Sequence, residues 1–175
     1  VLTKKIEPCR SISQYLLFVS WFPQLIAGPI SRANMLIPQL EKINKLRDTL
    51  PNRLPHAIIL FADGWLRKAF ADLAAISVNH FYAQDPNISS GASAWYAVIA
   101  FGIQIYGDFS GYTRMAQGIS WLFGIKLMEN FNIPYAADSI RDFWRRWHIS
   151  LSLWFRDYVY IPLGGNKLGT KRMYV

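Results

Sequence analysis

An all-α, multi-pass membrane domain built from broken or re-entrant helices is the architecture this sequence predicts, with a soluble helical domain around a large core as the alternative that composition leaves open. Three observations carry that expectation. The 175 residues are 52% hydrophobic and 15% aromatic but only 17% charged, whereas soluble domains carry about a quarter charged residues. The apolar residues gather in long stretches, each interrupted by proline, glycine or charge. The segment at 34–48 repeats its leucines at helical spacing.

The net charge of +8 suits either nucleic acid or an anionic membrane face. So much apolar sequence is foreign to nucleic-acid modules, so the membrane is favoured and no nucleic-acid partner is expected. The single cysteine, Cys9, excludes a disulfide within the chain. It reads as an inert thiol, with lipidation as the alternative. No signal-peptide pattern opens the chain. Both ends read as cut, so residues 1–175 are expected to be the central part of a longer membrane domain.

In LLFVSWFPQLIAGPI (16–30), Pro23 and the Gly28-Pro29 pair break the apolar run, which predicts a broken or re-entrant segment. In NMLIPQLEKINKLRD (34–48), Leu36, Leu40, Ile43 and Leu46 make one stripe, with Glu41, Lys42, Lys45 and Arg47 off it. Beside a membrane segment this predicts a helix lying in the interface; in a soluble protein it would be a surface helix. The next run, 57–76, carries Asp63, Arg67, Lys68 and Asp72 in two i,i+4 pairs of opposite sign. A helix over roughly 56–79 is expected to span. Basic residues crowd 31–55 and are absent from 80–93, which puts the first in the cytoplasm and the second outside. Lys4, Lys5 and Arg10 make the near side of 11–30 basic as well, a conflict that a broken segment relieves. The run 94–112 ends in the polar cluster YGDFSGY, and helix is expected on through about Ile125. ENFNIPYAADS (129–139) reads as a loop broken by Pro134. Ser139 followed by Asp142 reads as a helix N-cap, and the helix it opens is expected to run unbroken to IPLGGNK (161–167).

On that helix Trp144, His148, Leu151, Ser152 and Phe155 share one side. His148 then sits between aromatic walls with Arg145 close by. Burial and neighbouring positive charge both favour neutral imidazole, the form a general base requires. A core histidine satisfied by one hydrogen bond fits the spacing as well. His56 and His80 lie far off in sequence, so no metal site is expected. Asp108, between glycines and beside tyrosines in YGDFSGY at the end of an apolar run, is either a site residue or a helix cap, and Arg114 is a possible ion-pair partner for it. GPISR (28–32) and LGGNK (163–167) read as turns rather than phosphate loops.

Four blocks taken together, FPQLIAGPISR (22–32), IQIYGDFSGY (103–112), LFGIKLMENFNIPY (122–135) and FWRRWHISLSLWFRDYVYIPLGGNK (143–167), resemble the membrane-bound O-acyltransferase family. The resemblance is to its bacterial branch of alginate and peptidoglycan O-acetyltransferases and teichoic-acid D-alanyl transfer proteins. It covers nearly the whole chain from Phe18 to Lys167. It implies helices around a central tunnel in the bacterial cytoplasmic (inner) membrane. It also implies transfer of an acyl group, acetyl above all, from a cytoplasmic-side donor to hydroxyls of an extracytoplasmic polysaccharide such as alginate. The donor would be acetyl-CoA or an acyl-carrier thioester, with no bound cofactor and no metal. Membrane lipid, the polysaccharide acceptor and partner acyl-transfer proteins of the pathway are the expected partners.

By the same resemblance His148 is catalytic; Asp108 and Arg145 are read as orienting it or contacting the acyl donor or acceptor, and Trp144 and Ser152, on its helix side by spacing, as lining the tunnel or substrate. The family's second histidine falls in a later Leu-Trp-His-Gly-like motif, and the family's N-terminal helices are also expected outside this piece. Gly107 and Arg114 depart from the family pattern, where a bulky residue and an aspartate are usual. The alternatives are D-alanyl transfer to teichoic acid and, outside enzymes, a non-catalytic membrane conduit or scaffold.

Overall fold

Proline opens the first long helix and glycine closes the second. The structure, a computed structural model, describes residues 11–43, 49–84 and 90–165. Among them six α-helices occur in the order α1 (Ile12–Val19), α2 (Ala33–Leu40), α3 (Leu50–Tyr82), α4 (Gly91–Leu122), α5 (Ile140–Arg146) and α6 (Ile149–Phe155). Single 3-10 turns lie at Phe22–Gln24 and Pro134–Ala136, and a π-helical turn at Arg156–Tyr160 follows α6. No strand occurs among the described residues. Among the described residues two units form: one within 11–28 and 33–127, the other within 29–32 and 128–165.

The first unit is dominated by α3 and α4, with 33 and 32 residues, each roughly 50 Å long at 1.5 Å per residue. Proline in the first turn of α3 costs no hydrogen bond, because those amides have no intrahelical partner. Ser90 caps α4 by accepting from the Ser93 amide at 3.1 Å. The expectation of helix through Ile125 is shortened to Leu122. Gly124 adopts φ +72°, its amide bonds Trp121 O at 2.9 Å, and the Ile125 amide bonds Ser120 O at 3.0 Å. That paired closure ends a helix at glycine. The Arg53 guanidinium adds a third donor, to Leu122 O at 2.9 Å.

Small residues make the seam between α3 and α4. The buried positions of α3 are Ala57, Gly64, Ala71 and Val78, seven apart. A Cβ on Gly64 would lie 2.5 Å from Gly111 O, and one on Gly111 would lie 2.7 Å from Gly64 O, so two backbones touch there. The same packing accounts for the unusual Gly107, whose Cβ would meet Arg67 O at 2.9 Å. The large side chains face outward: Ile59, Trp65, Phe70, Leu73, Ile76 and Trp95 are all at least 59% exposed. Small-inside and large-outside inverts the pattern of an aqueous helix pair and matches helix packing in lipid.

The charges along this hairpin cancel, as their spacing predicts, and the pairing extends across both helices. Arg67 bonds Asp63 at 3.0 Å and Lys68 bonds Asp72. Lys68 also reaches Asp108 at 2.9 Å, and Arg114 reaches Asp63 at 3.4 Å. Three cations thus meet three carboxylates. No helix among the described residues is long and apolar enough to cross a membrane.

The break expected in 16–30 is present: α1 has eight residues, and a turn with buried Pro23 follows. Over its described part, residues 34–43, the interfacial reading of 34–48 is corrected. The helix α2 ends at Leu40, and Leu36 and Leu40 are 1% and 5% exposed. They pack with Trp21, Ala116, Ile125 and Leu127. A leucine buried this way contributes about 1.5–3 kcal/mol, so a protein core claims the stripe. Gln39 locks the packing by accepting from Lys126 N at 2.8 Å, and Trp21 Nε1 donates to Ser120 Oγ at 3.2 Å. Lys4, Lys5, Cys9, Arg10, Lys45, Leu46, Arg47, Asp85, Pro86, Asn166 and Lys167 lie outside the described residues.

Candidate functional site

The second unit holds the polar cluster around His148. Ser139 caps α5 as its spacing predicts, accepting from the Asp142 amide at 3.2 Å. Arg146, one turn on, binds Asp142 at 2.7 Å. The expected unbroken helix is corrected beyond this point. Trp147 turns to extended backbone, and His148 adopts φ +43°, ψ +54°. This left-handed conformation costs a non-glycine residue on the order of 1–3 kcal/mol. A new helix, α6, then starts at Ile149.

Neighbouring chain holds the break from both sides. Before it, Arg146 O accepts from Asn132 N at 3.0 Å. After it, the Ile149 amide donates to Asn130 O at 3.0 Å, and the Ser150 amide donates to Asn130 Oδ1 at 3.3 Å. Ser150 Oγ accepts from Ile30 N at 2.9 Å. Asn130 is wholly buried and Ser150 is 2% exposed. Ile133 also has φ +43°, so both non-glycine positive-φ residues among the described residues belong to this unit.

Aromatic rings wall the N-terminal side of the break. Trp147 stacks on Phe143 at 5.5 Å and meets Phe131 edge-on at 5.1 Å. On the C-terminal side Arg32 ties α6 to the turn that follows. It donates to Leu153 O at 3.1 Å, pairs with Asp157 and lies 5.9 Å over the Tyr158 ring. Arg156 bonds Asp157 at 2.7 Å. Together Arg156 and Arg32 hold the Asp157 carboxyl below the usual carboxylate range.

His148 is half-buried between two seven-residue helices, each about 10 Å long and too short to span a bilayer. Burial pushes its imidazole below the ordinary value, which leaves it neutral and able to accept a proton at neutral pH. Trp144, Arg145 and Ser152 are exposed. The break removes the continuous helix side that Trp144, His148 and Ser152 were expected to share. Ser152 still comes back to the preceding helix: its amide bonds His148 O at 3.1 Å, and its hydroxyl approaches Trp144 O at 3.5 Å. Trp144 packs edge-on against Phe143 at 5.3 Å.

Asp108 belongs to the first unit. It lines a cavity of about 310 Å³ with Ala27, Ile105, Phe109 and Tyr112. Its ion pair is to Lys68, and Arg114 is drawn instead to Asp63. GPISR is a non-helical stretch, as read, and Gly164 and Gly165 take positive φ as turn glycines do. Sequence reasoning missed Asn130, Ser150 and Arg32. A buried asparagine inside a loop has no periodicity to mark it, and Arg32 looked like one more surface cation.

The chain is similar to several known proteins. The chain is 43% identical over 167 residues to the probable alginate O-acetylase AlgI of Pseudomonas putida, covering 94% of this chain and 33% of that protein. It is 43% identical to the peptidoglycan O-acetyltransferase of Helicobacter pylori, covering 88% of this chain and 29% of the relative. Against the teichoic acid D-alanyltransferase of Bacillus subtilis the identity is 35%, over 86% of this chain and 38% of the relative. The chain thus spans about a third of the length of these relatives. The family model for membrane-bound O-acyltransferases matches residues 9–175, and so takes in both the small-residue hairpin and the broken His148 segment. The chain belongs to the membrane-bound O-acyltransferase family.

Proposed function

We propose that the protein containing this chain transfers an acetyl group from a thioester donor to hydroxyls of an exported polysaccharide, alginate being the preferred acceptor. The observation that carries the reading is His148: a half-buried, neutral imidazole held in a left-handed conformation at a break between two helices. Strained backbone of this kind clusters at functional sites. Equal identity to an alginate and a peptidoglycan O-acetylase favours acetyl over D-alanyl transfer, where the identity is lower.

In the proposed reaction the acceptor oxygen attacks the thioester carbonyl carbon while its proton passes to the His148 imidazole. The carbon–sulfur bond then breaks, and the departing thiolate takes the proton from the imidazolium. The donor is acetyl-CoA or an acyl-carrier thioester on the cytoplasmic side, where residues 31–55 also lie. Asp108, Trp144, Arg145 and Ser152 line the path of donor or acceptor. The outward apolar side chains of α3 and α4 support a lipid surround, in the bacterial inner membrane and alongside partner acyl-transfer proteins of the same pathway.

The test is His148→Ala in the full-length protein, with the ester released from the polymer by mild alkali and identified. Acetate from the parent protein and none from the variant, at equal membrane-inserted protein, is the expected result. Normal transfer by the variant would refute the role and favour a non-catalytic conduit. Release of D-alanine instead of acetate would move the assignment to the teichoic-acid branch.

A further inference from the structure

The helix α6 begins at a residue ill-suited to begin it. Helix N-caps are usually serine, threonine, aspartate or asparagine, whose short side-chain oxygen takes an amide that has no intrahelical partner. Here His148 holds the N-cap position, and its side chain makes no cap hydrogen bond. The amides of Ile149 and Ser150 are nevertheless satisfied. Both go to Asn130, one to its main-chain oxygen at 3.0 Å and one to its Oδ1 at 3.3 Å. A wholly buried carboxamide is costly unless it is bonded, so this placement is specific. The same loop takes Arg146 O on the other side of the break through Asn132 N.

We infer that Asn130 is a positioning residue for His148: it caps α6 from twenty residues away, so the residue at the cap position is released from capping and its imidazole is held for the reaction. A serine or asparagine at position 148 would cap the helix by itself, but with no base. Separating the two tasks lets one position carry an imidazole and another carry the helix start. The inference rests on the reading of His148 as the base.

The experiment uses full-length protein in membrane vesicles, radiolabelled acetyl-coenzyme A and deacetylated alginate oligosaccharides, with rates per mole of folded protein. Asn130→Ala removes the side-chain acceptor. It is expected to lower kcat roughly 10- to 100-fold, the scale of a misplaced catalytic group, with KM for acetyl-coenzyme A changed less than about twofold. Asn130→Asp keeps an acceptor oxygen and is expected to recover most of the lost kcat. Carbethoxylation of His148 by diethyl pyrocarbonate, followed by peptide mass spectrometry, is expected to speed up in the alanine variant as the ring leaves its half-buried place. If Asn130→Ala is not recovered folded, Asn130→Ser supplies the same comparison with a shortened oxygen. Unchanged kcat and unchanged carbethoxylation would overturn the inference, as would a loss shared equally by the alanine and aspartate variants. His148→Ala in the same vesicles separates the two readings. If it is inactive while Asn130→Ala is normal, only the positioning role fails; if it is active, the base itself is wrong.

Discussion

The α3–α4 hairpin and the His148 segment solve opposite problems. The hairpin is regular: two helices of more than 30 residues, a seam of alanine and glycine, and charges paired on and across the helices. The His148 segment is irregular: two helices of seven residues, a π-helical turn, and two non-glycine residues at positive φ. Close backbone packing in the hairpin makes a scaffold in which little can shift. The second region spends conformational strain to place one side chain. The contrast is between a region of regular close packing and one of locally strained backbone.

The largest effect that would break this contrast is expected at the seam. In Gly111→Leu the new side chain starts 2.7 Å from Gly64 O and 2.9 Å from Lys68 N, both backbone atoms that cannot give. Overpacking of this kind is expected to cost about 3 kcal/mol or more, seen as loss of monodisperse full-length protein in detergent. Gly91→Leu is the control, because nothing lies within 4 Å of a Cβ there, and it should leave the yield unchanged. Equal tolerance of both would mean that the seam is not tight.

Acid sensitivity comes next. As the proposed base, His148 would work as neutral imidazole, and burial lowers its proton affinity. Transfer per folded protein is therefore expected to hold down through about pH 6.5, where an ordinary imidazole would already be half protonated. It should then fall about tenfold per pH unit below the depressed value. A half-maximal point above 6.5 in the pH–rate profile would contradict the burial argument.

The smallest effect concerns strain alone. Glycine adopts φ +43° without the Cβ penalty, so His148→Gly should be about 1 kcal/mol more stable than His148→Ala, with both inactive. Thermal unfolding of the two variants in the same detergent reads this difference. If alanine is the more stable, the left-handed backbone at 148 is not strained.

Much of the regular region is legible from the residues. The i,i+4 pairs at 63/67 and 68/72 and the Ser139–Asp142 cap depend on neighbours three or four positions apart, and all three are present. The leucine stripe of α2 is legible in the sequence, but its packing partner is not. Amphipathicity says that a face is buried, not what buries it, and Trp21 and Ile125 come from distant sequence. Gly107 looked like an anomaly until the backbone of Arg67 was found beside it.

The sequence by itself determined the helical class, the caps, the compensating charges, the family and the choice of His148 as the residue to watch. These follow from short-range spacing or from motifs read in order. Only the tertiary structure decided that the helix stops at His148. Nothing in WRRWHISL breaks a helix locally: it holds neither glycine nor proline. The break persists because Asn130 and Asn132 supply, from a loop remote in sequence, the hydrogen bonds that a continuous helix would have supplied. A long-range bond of that kind leaves no periodic mark in the sequence. It turned a histidine expected on a helix side into one held at a helix break.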